Sequence, residues 1–112
     1  DYYSGMEVTV GIHSRLCQKP VSIDKVQQAL EDFYKDSTII TVVPFTDNSN
    51  TGMLHANQLS NTDSMKIYVT GNDERIMVHA IFDNLGKGAS GAAVQCMNIA
   101  LGLLEDTGLA LD

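Results

Sequence analysis

The sequence has 112 residues, of which 44% are hydrophobic and 19% are charged, as expected for one compact globular domain. Seven lysines and arginines are scattered among 14 aspartates and glutamates, so the formal net charge is −7 and no cationic stripe is available for a nucleic acid. No apolar run approaches the ~20 residues that a membrane-spanning helix needs, so we expect neither a nucleic acid nor a membrane as partner.

The first predicted elements are a strand and a surface helix. Apolar and polar residues alternate at residues 6–13, and this period of two predicts a strand with one buried face, formed by Met6, Val8, Val10 and Ile12. A helix is predicted from Ser22, whose hydroxyl suits an N-cap, to about Asp36. Its apolar face, at three- and four-residue spacing, consists of Val26, Ala29, Leu30 and Phe33.

The middle of the chain predicts three strands. Residues 38–45 are rich in β-branched residues and apolar at both parities, which indicates a central strand that ends near Pro44. Residues 46–64 form a long polar loop, and loops of this length are often functional or disordered. Residues 65–70 and 75–83 then predict the two arms of an antiparallel hairpin, joined by the turn-forming residues 71–74.

The last predicted element is a helix at residues 89–104, followed by a frayed tail at residues 105–112. The first turns of this helix carry small side chains that allow close backbone approach, so we expect it to be buried against the sheet or a partner subunit. The order of elements therefore predicts an α+β domain with a mainly antiparallel sheet and helices on one face.

A glycine motif of the form G-x-G-x-x-G occupies residues 86–91, between the last strand and the last helix. This pattern occurs in dinucleotide-binding units, where glycines and a helix N-terminus approach a phosphate. Here no second parallel strand with an acidic end follows the helix, and the preceding strand pairs through a hairpin, which argues against such a unit. Two interpretations remain: tight helix-to-sheet packing, and an auxiliary contact to a ligand bound mostly by another domain.

The sixteen residues 83–98, Asp-Asn-Leu-Gly-Lys-Gly-Ala-Ser-Gly-Ala-Ala-Val-Gln-Cys-Met-Asn, resemble a signature near the carboxyl terminus of N-acetyl-gamma-glutamyl-phosphate reductases. Weaker resemblance extends over most of the chain, at residues 4–6, 57–61 and 71–75. The resemblance implies that residues 1–112 form the single carboxy-terminal domain of a larger reductase. Its fold would be like the carboxy-terminal domain of glyceraldehyde-3-phosphate-dehydrogenase-like enzymes, and the amino-terminal NADP-binding domain would be absent.

The activity implied by the resemblance belongs to arginine biosynthesis. Such a reductase uses NADPH to reduce N-acetyl-gamma-glutamyl phosphate to N-acetylglutamate semialdehyde, through a thioester on a cysteine thiolate. The family's cysteine lies in a Gly-Cys-Tyr-Pro-type turn, which neither Cys17 nor Cys96 matches, and its histidine precedes this chain. The resemblance therefore assigns no catalytic residue here, and we expect the chain alone to be inactive.

The candidate residues on the cofactor side are Asn84, from the resemblance, and Gly86, Lys87 and Gly88, from the glycine motif and its one cation. Asn84 corresponds to an asparagine that contacts the nicotinamide carboxamide in related dehydrogenases; the alternative is that it caps the turn into the helix. Lys87 is the one cation of the motif and is suited to attract a phosphate, and the alternative is a solvated lysine.

The remaining expectations concern metals, partners and location. His13, His55 and His79 are too widely spaced to indicate a metal site, and His13 and His79 are expected at the surface. The implied partners are a small-molecule substrate, the protein's own amino-terminal domain and a second subunit of a homo-oligomer. Two cysteines favour reduced thiols and a cytoplasmic location. A stand-alone α+β ligand-binding or regulatory module is the alternative function.

Overall fold

A four-stranded mixed sheet in the order β1–β4–β3–β2 organises the molecule, whose computed structural model describes residues 2–45 and 53–112. The strands are β1 (Met6–His13), β2 (Ile40–Val42), β3 (Met65–Gly71) and β4 (Arg75–Phe82). Strand β4 is antiparallel to both β1 and β3, whereas β2 is parallel to β3. The predicted α+β class with a mainly antiparallel sheet is confirmed.

The predicted hairpin is confirmed as β3 and β4. Its turn reverses at Gly71, whose φ is +102°, a conformation that favours glycine. The Asn72 side-chain oxygen accepts hydrogen bonds from the backbone amides of Glu74 and Arg75, both at 3.0 Å. Turn residues that satisfy their own backbone in this way fix the register of the two arms.

Helix α1 (Ile23–Tyr34) begins where it is predicted, because the Ser22 hydroxyl accepts a hydrogen bond from the Lys25 amide. The helix contacts β2 and β3 and, through Leu30, lines an apolar groove with Ile12 and Val78. It therefore lies on the sheet face that carries these two side chains.

The prediction that Phe33 belongs to the inward face of α1 is wrong, since this side chain is 78% exposed. Gln27 is buried on the helix instead, and its amide donates to the Val43 carbonyl oxygen at 3.1 Å. Helical spacing alone cannot place a buried polar residue whose partner lies on another segment.

The prediction that β1 has a buried face is also wrong for this chain. Met6, Val8 and Val10 are 41%, 45% and 56% exposed, although their partners on β4 are apolar. A helix is about 10 Å wide and strands are about 4.8 Å apart, so one helix covers about two strands. Helix α1 lies mainly on β2 and β3 and reaches β1 only near Ile12, which leaves Met6, Val8 and Val10 uncovered.

Strand β2 is a three-residue edge strand within the described residues, not the longer central strand predicted for residues 38–45. Its neighbours on both sides still join β3 through the backbone: the Ile39 carbonyl oxygen accepts from Met65, and the Val43 amide donates to Ile67. The segment is apolar at both parities because a buried apolar residue also precedes the strand: Ile39 lies outside it and is 1% exposed.

The core lies around β3 and β4. Within the described residues, its buried apolar side chains are Ile39, Leu59, Ile67, Tyr68, Val69, Ile76 and Ile81. Of the predicted loop at residues 46–64, residues 46–52 lie outside the described residues, whereas Leu59 is fully buried. The second half of this loop is therefore part of the core. No helix in the described part of the chain is both long and apolar enough to cross a bilayer.

The carboxy-terminal helix is shorter and more exposed than predicted. A π-helical turn (Gly86–Ser90) leads into α2 (Gly91–Ala100), and the backbone turns at Gly102 with φ +70°. Only Gly91 and Asn98 of α2 are buried, while Met97 and Ile99 are 53% and 59% exposed. Deep burial against the chain's own sheet is therefore wrong, while burial against a partner subunit, the other option, stays a prediction.

The tail is docked rather than frayed, which also corrects the prediction. The Asn98 amide donates to the carbonyl oxygens of Glu105 and Thr107, at 3.1 and 2.9 Å. The Asp63 amide donates to the Ala110 carbonyl oxygen, and Lys66 forms an ion pair with Asp112 at 2.6 Å. Asp63 and Lys66 lie 46 or more residues from their partners at the end of this tail, and no local pattern reveals these contacts.

We expect Gly71→Ala to lower the free energy of unfolding by about 2 kcal/mol, because a Cβ there would overlap the Arg75 carbonyl oxygen at an unfavourable φ. Chemical denaturation of the 112-residue chain measures this loss. Gly11→Ala is the control, since its Cβ would lie 3.6 Å from the flexible Met77 sulfur, an ordinary contact. Equal stability of the two variants would contradict the assigned role of Gly71.

Candidate functional site

The candidate site is the segment of residues 83–91, called here the glycine segment, which joins β4 to α2. It packs against two other parts of the chain, residues 4–5 before β1 and residues 61–63 before β3. The amino-terminal end of β1 and the carboxyl end of β4 meet here because Met6 pairs with Phe82.

Asp83 is the hub of this arrangement and is 1% exposed. One carboxylate oxygen accepts from the Leu85 amide at 2.7 Å and from the Gly86 amide at 3.2 Å. The other accepts from the Ser4 hydroxyl at 2.8 Å and, through a short hydrogen bond, from the Asn61 amide. A single carboxylate thus joins three separate parts of the chain.

The charge of Asp83 is stabilised despite its burial. Burial alone raises the pKa of the carboxyl, but the four hydrogen bonds outweigh burial and hold the pKa below its ordinary value of 3.8. Hydrogen bonds from amides and a hydroxyl favour the ionised form, because a carboxylate can accept all of them. At neutral pH this buried group is therefore an anion.

Asn84 has its side-chain oxygen occupied and its side-chain nitrogen free of partners among the described residues. The oxygen accepts from the Gly5 amide at 2.8 Å, which fixes the orientation of the side-chain amide. The capping interpretation required a bond to the local backbone, whereas the bonded backbone is 79 residues away and the local amides of Leu85 and Gly86 donate to Asp83. The half-buried NH₂ group keeps its donor capacity.

The three motif glycines are required by close packing. A Cβ on Gly86 would lie 2.5 Å from the Thr62 carbonyl oxygen, and one on Gly91 would overlap the Asp63 carboxylate. A Cβ on Gly88 would lie 3.0 Å from the Phe82 ring. The packing interpretation of the motif is supported at each of these positions.

The backbone amides of the glycine segment are largely consumed internally. The Gly88 amide donates to the Asp83 carbonyl oxygen at 2.8 Å, and the Ser90 amide donates to that of Leu85 at 3.2 Å. Together with the two amides bound to the Asp83 carboxylate, these bonds leave few donors to cradle a phosphate. Strand β4 is moreover antiparallel to both neighbours, so the Rossmann interpretation is excluded.

Lys87 is half-buried, and its ammonium donates to the Gln95 side-chain oxygen at 2.5 Å. The Gln95 amide in turn donates to the Glu105 carboxylate at 2.9 Å. The lysine therefore belongs to a polar chain along α2 and is not simply solvated.

The histidines and cysteines lie elsewhere. The His79 imidazole forms hydrogen bonds with the side chains of Glu7 at 2.8 Å, Thr9 at 2.9 Å and Thr70 at 2.8 Å. Its side chain is only 14% exposed. Surface exposure was predicted for His79 and for His13, and only His13 is exposed. Residues 2–45 and 53–112 hold no group of three or more His, Cys, Asp or Glu side chains arranged for a metal ion.

The sequence pattern identified the glycine segment, but it did not identify the residues that hold the segment in place. These are Asp83, its hydrogen-bond donors Ser4 and Asn61, and Asp63, which packs against the motif glycines. Asp83 opens the recognised motif, so an acid at the end of a predicted strand was a usable signal. Its partners at positions 4 and 61 carried no such signal, because only the fold brings them to the motif.

Comparison with known proteins gives close relatives but no family model that matches. The chain is 38% identical to N-acetyl-gamma-glutamyl-phosphate reductase 2 of Nostoc sp. over 97% of its length, which is 35% of that protein. It is 37% identical to the N-acetyl-gamma-glutamyl-phosphate reductase of Sinorhizobium medicae, and 39% identical to that of Brucella ovis. These matches cover 89% and 88% of this chain, and 33% and 32% of the relatives. The resemblance found in residues 83–98 is thus confirmed, and the chain spans about a third of the length of its relatives.

We expect Asp83→Asn to lower the free energy of unfolding at neutral pH by about 3 kcal/mol, because the new NH₂ group faces hydrogen-bond donors in a buried site. The depressed pKa means that the carboxylate contributes stability at pH values above its unfolded pKa, and that this contribution falls as the pH drops through the folded pKa. The difference between the two proteins should therefore shrink in acid.

Denaturation curves at several pH values measure this difference. Asp36→Asn, at an exposed turn residue, is the control that should leave stability nearly unchanged. A difference that does not depend on pH would refute the assigned charge of Asp83.

Proposed function

Because the chain resembles N-acetyl-gamma-glutamyl-phosphate reductases over nearly its whole length, we propose that it is the carboxy-terminal domain of such a reductase. The complete enzyme reduces N-acetyl-gamma-glutamyl phosphate to N-acetylglutamate semialdehyde with NADPH in arginine biosynthesis. This domain forms one side of the substrate pocket, closes one side of the nicotinamide site and supplies subunit contacts.

The observation that carries the proposal is the fixed side-chain amide of Asn84. Its oxygen is held by the Gly5 amide, so its NH₂ group points in one orientation and retains donors for a ligand. We assign this donor to the carboxamide oxygen of the nicotinamide ring. Since the neighbouring backbone amides are engaged with Asp83, recognition by a side chain suits this segment better than a backbone cradle for phosphate.

Gly86 and Gly88 then act by allowing the segment to lie flat against residues 62, 63 and 82, where any side chain would displace it. Lys87 lies beside them, with its ammonium on Gln95. In the complete enzyme this cation adds positive potential at the cofactor side, while the dinucleotide itself is bound mainly by the amino-terminal domain.

The chain contributes no nucleophile to the reaction. Acyl transfer from the phosphate to sulfur requires an activated thiolate next to a proton-handling group. Cys17 lies with its sulfur 3.7 Å from the carbonyl oxygen of His13, not from its imidazole, and Cys96 is exposed on α2. The catalytic cysteine therefore comes from the amino-terminal part, and the chain alone has no turnover. The two reduced thiols are consistent with a cytoplasmic location.

The area of exposed surface supports a partner for this chain. Its accessible surface is 7223 Å², whereas a folded monomer of 12.2 kDa exposes roughly 6,100 Å². The radius of gyration of 15.2 Å likewise exceeds the roughly 13 Å of a compact domain of this length.

Two apolar surfaces of this chain are candidates for contact with a partner. The first is formed by the end of α2 and the turn after it, with Met97, Ile99, Leu101 and Leu104 exposed by 53% to 78%. Since α2 continues directly from the glycine segment, we assign this surface to the amino-terminal domain that holds the cofactor. The second is the open face of β1 at Met6, Val8 and Val10, and we assign it to a second copy of the chain.

The nicotinamide contact predicts a specific result for Asn84→Asp in the complete reductase. The aspartate oxygen can still accept from Gly5, so folding should be retained, but the donor for the carboxamide is lost. We expect the KM for NADPH to rise roughly 10- to 100-fold, as measured by the loss of reduced-nicotinamide absorbance under initial-rate conditions.

Asn72→Asp is the matched control, because the Asn72 oxygen also accepts backbone hydrogen bonds but lies at the other end of the hairpin. It should leave the KM for NADPH unchanged. An unchanged KM in Asn84→Asp would remove the nicotinamide role, whatever the result for the control.

The assignment of the open face of β1 to a second copy of the chain predicts that Val10→Lys disrupts self-association. A lysine on the open face of β1 would place a charge in an apolar contact, at a cost of several kcal/mol. We expect sedimentation velocity of the complete polypeptide to show a smaller assembly. Gln28→Lys, on the exposed side of α1, adds the same charge and should preserve the assembly; an unchanged assembly in Val10→Lys would contradict the assignment.

A further inference from the structure

A second cleft lies at the end of the sheet opposite the glycine segment. It has a volume of about 390 Å³ and is bounded by the end of β1, the 3-10 turn Ser14–Leu16, Pro20 and the hairpin turn. His13 and Arg75 form the last β1–β4 pair, whereas Met6 and Phe82 form the first, so the two sites are separated by about 23 Å of strand.

Both arginines of the chain line this cleft, although they are 60 residues apart in the sequence. Arg75 is the cross-strand partner of His13, so these two side chains lie on the same face, and Arg15 follows from the adjoining turn. Neither guanidinium lies within ion-pair distance of a carboxylate among the described residues, where Lys66 pairs with Asp112 and Glu7 contacts His79. In a chain with net charge −7, two unpaired arginines in one cleft are unexpected.

The backbone that carries the two arginines is held firmly. The Ser14 hydroxyl donates to the Val21 carbonyl oxygen at 2.7 Å and accepts from the Val21 amide at 2.9 Å. The Ser14 amide donates to the Glu74 carbonyl oxygen at 3.2 Å, which ties the 3-10 turn to the hairpin turn. The two walls of the cleft therefore keep a fixed spacing before any ligand binds.

Two carboxylates also line the cleft, and they differ in their roles. Asp73 accepts from the Ile23 amide at 2.8 Å and so caps α1. The Glu74 carboxylate forms no ion pair among the described residues and opposes any bound anion. The cleft thus holds two guanidiniums that form no ion pair among the described residues, together with two carboxylates, of which Asp73 is engaged with α1.

We propose that this cleft binds a small oxyanion, a carboxylate or a phosphate group, between Arg15 and Arg75. A guanidinium offers a planar fork of donors that matches two oxygens of either group, and two such forks favour a dianion. The site does not depend on the reductase function, because it lies at the far end of the strands from Asn84 and shares no residue with the glycine segment.

The test is a titration of the ¹⁵N-labelled 112-residue chain with inorganic phosphate, and separately with succinate, at constant ionic strength. Saturable shifts are expected for the backbone amides of residues 13–15 and 73–75, with no shift at residues 83–91. Saturation by phosphate alone assigns a phosphate ligand, and saturation by succinate alone assigns a carboxylate ligand. Shifts that follow chloride in the same linear way would overturn the proposal.

Four variants sharpen the result. Arg15→Gln and Arg75→Gln should each weaken binding tenfold or more, whereas Lys19→Gln, an exposed neighbour outside the cleft, should not change it. Glu74→Gln should tighten binding several-fold, because it removes the opposing charge. This gain cannot arise from misfolding, so weaker or equal binding in Glu74→Gln would refute the site even if an arginine variant failed to fold.

Discussion

The buried carboxylate of Asp83 is the interaction on which the candidate site depends. It accepts hydrogen bonds from Ser4, from Asn61 and from the start of the glycine segment, so it joins the beginning, the middle and the end of the chain at one point. A buried charge is costly unless its hydrogen-bonding capacity is filled, and here all four bonds are supplied. The same network brings Gly5 to Asn84 and thereby fixes the side chain assigned to the nicotinamide.

This network also explains how a G-x-G-x-x-G motif can occur without a dinucleotide-binding unit. In such a unit, glycines expose backbone amides to a phosphate at a helix N-terminus. In this chain the corresponding amides are already bound to the carboxylate and carbonyl oxygens of Asp83, and the glycines accommodate Thr62 and Asp63. The Asp83 carboxylate therefore binds the amides that would bind a ligand phosphate in a dinucleotide-binding unit. Recognition of a ligand by this segment is left to side chains.

The parts of the fold that follow from local chemistry could be predicted from the sequence. The hairpin, the N-cap at Ser22 and the class of the fold depend on turn residues, spacing and alternation over a few residues. The errors concern what covers each surface: the alternation in β1 identifies an apolar face, but it cannot show that α1 leaves this face open. The docked tail was missed for the same reason, since Asp63 and Ala110 meet only in the folded chain. In the site, the motif was visible, whereas the Gly5–Asn84 and Ser4–Asp83 contacts span 79 residues.

The hydrogen-bonded network around Asp83 and the exposed apolar surfaces of β1 and α2 have different consequences. The polar network around Asp83 is complete within the described residues, so the geometry of Asn84 is set before any other domain arrives. The apolar surfaces on β1 and α2 are incomplete, because Val10 and Ile99 remain more than half exposed. Under the proposed function, a domain organised in this way offers the cofactor a contact that is preformed, and covering the surfaces of β1 and α2 would add to its stability. The contrast is between two parts of the described chain: the hydrogen bonds of the buried Asp83 carboxylate are complete, whereas the apolar side chains of β1 and α2 are left largely uncovered.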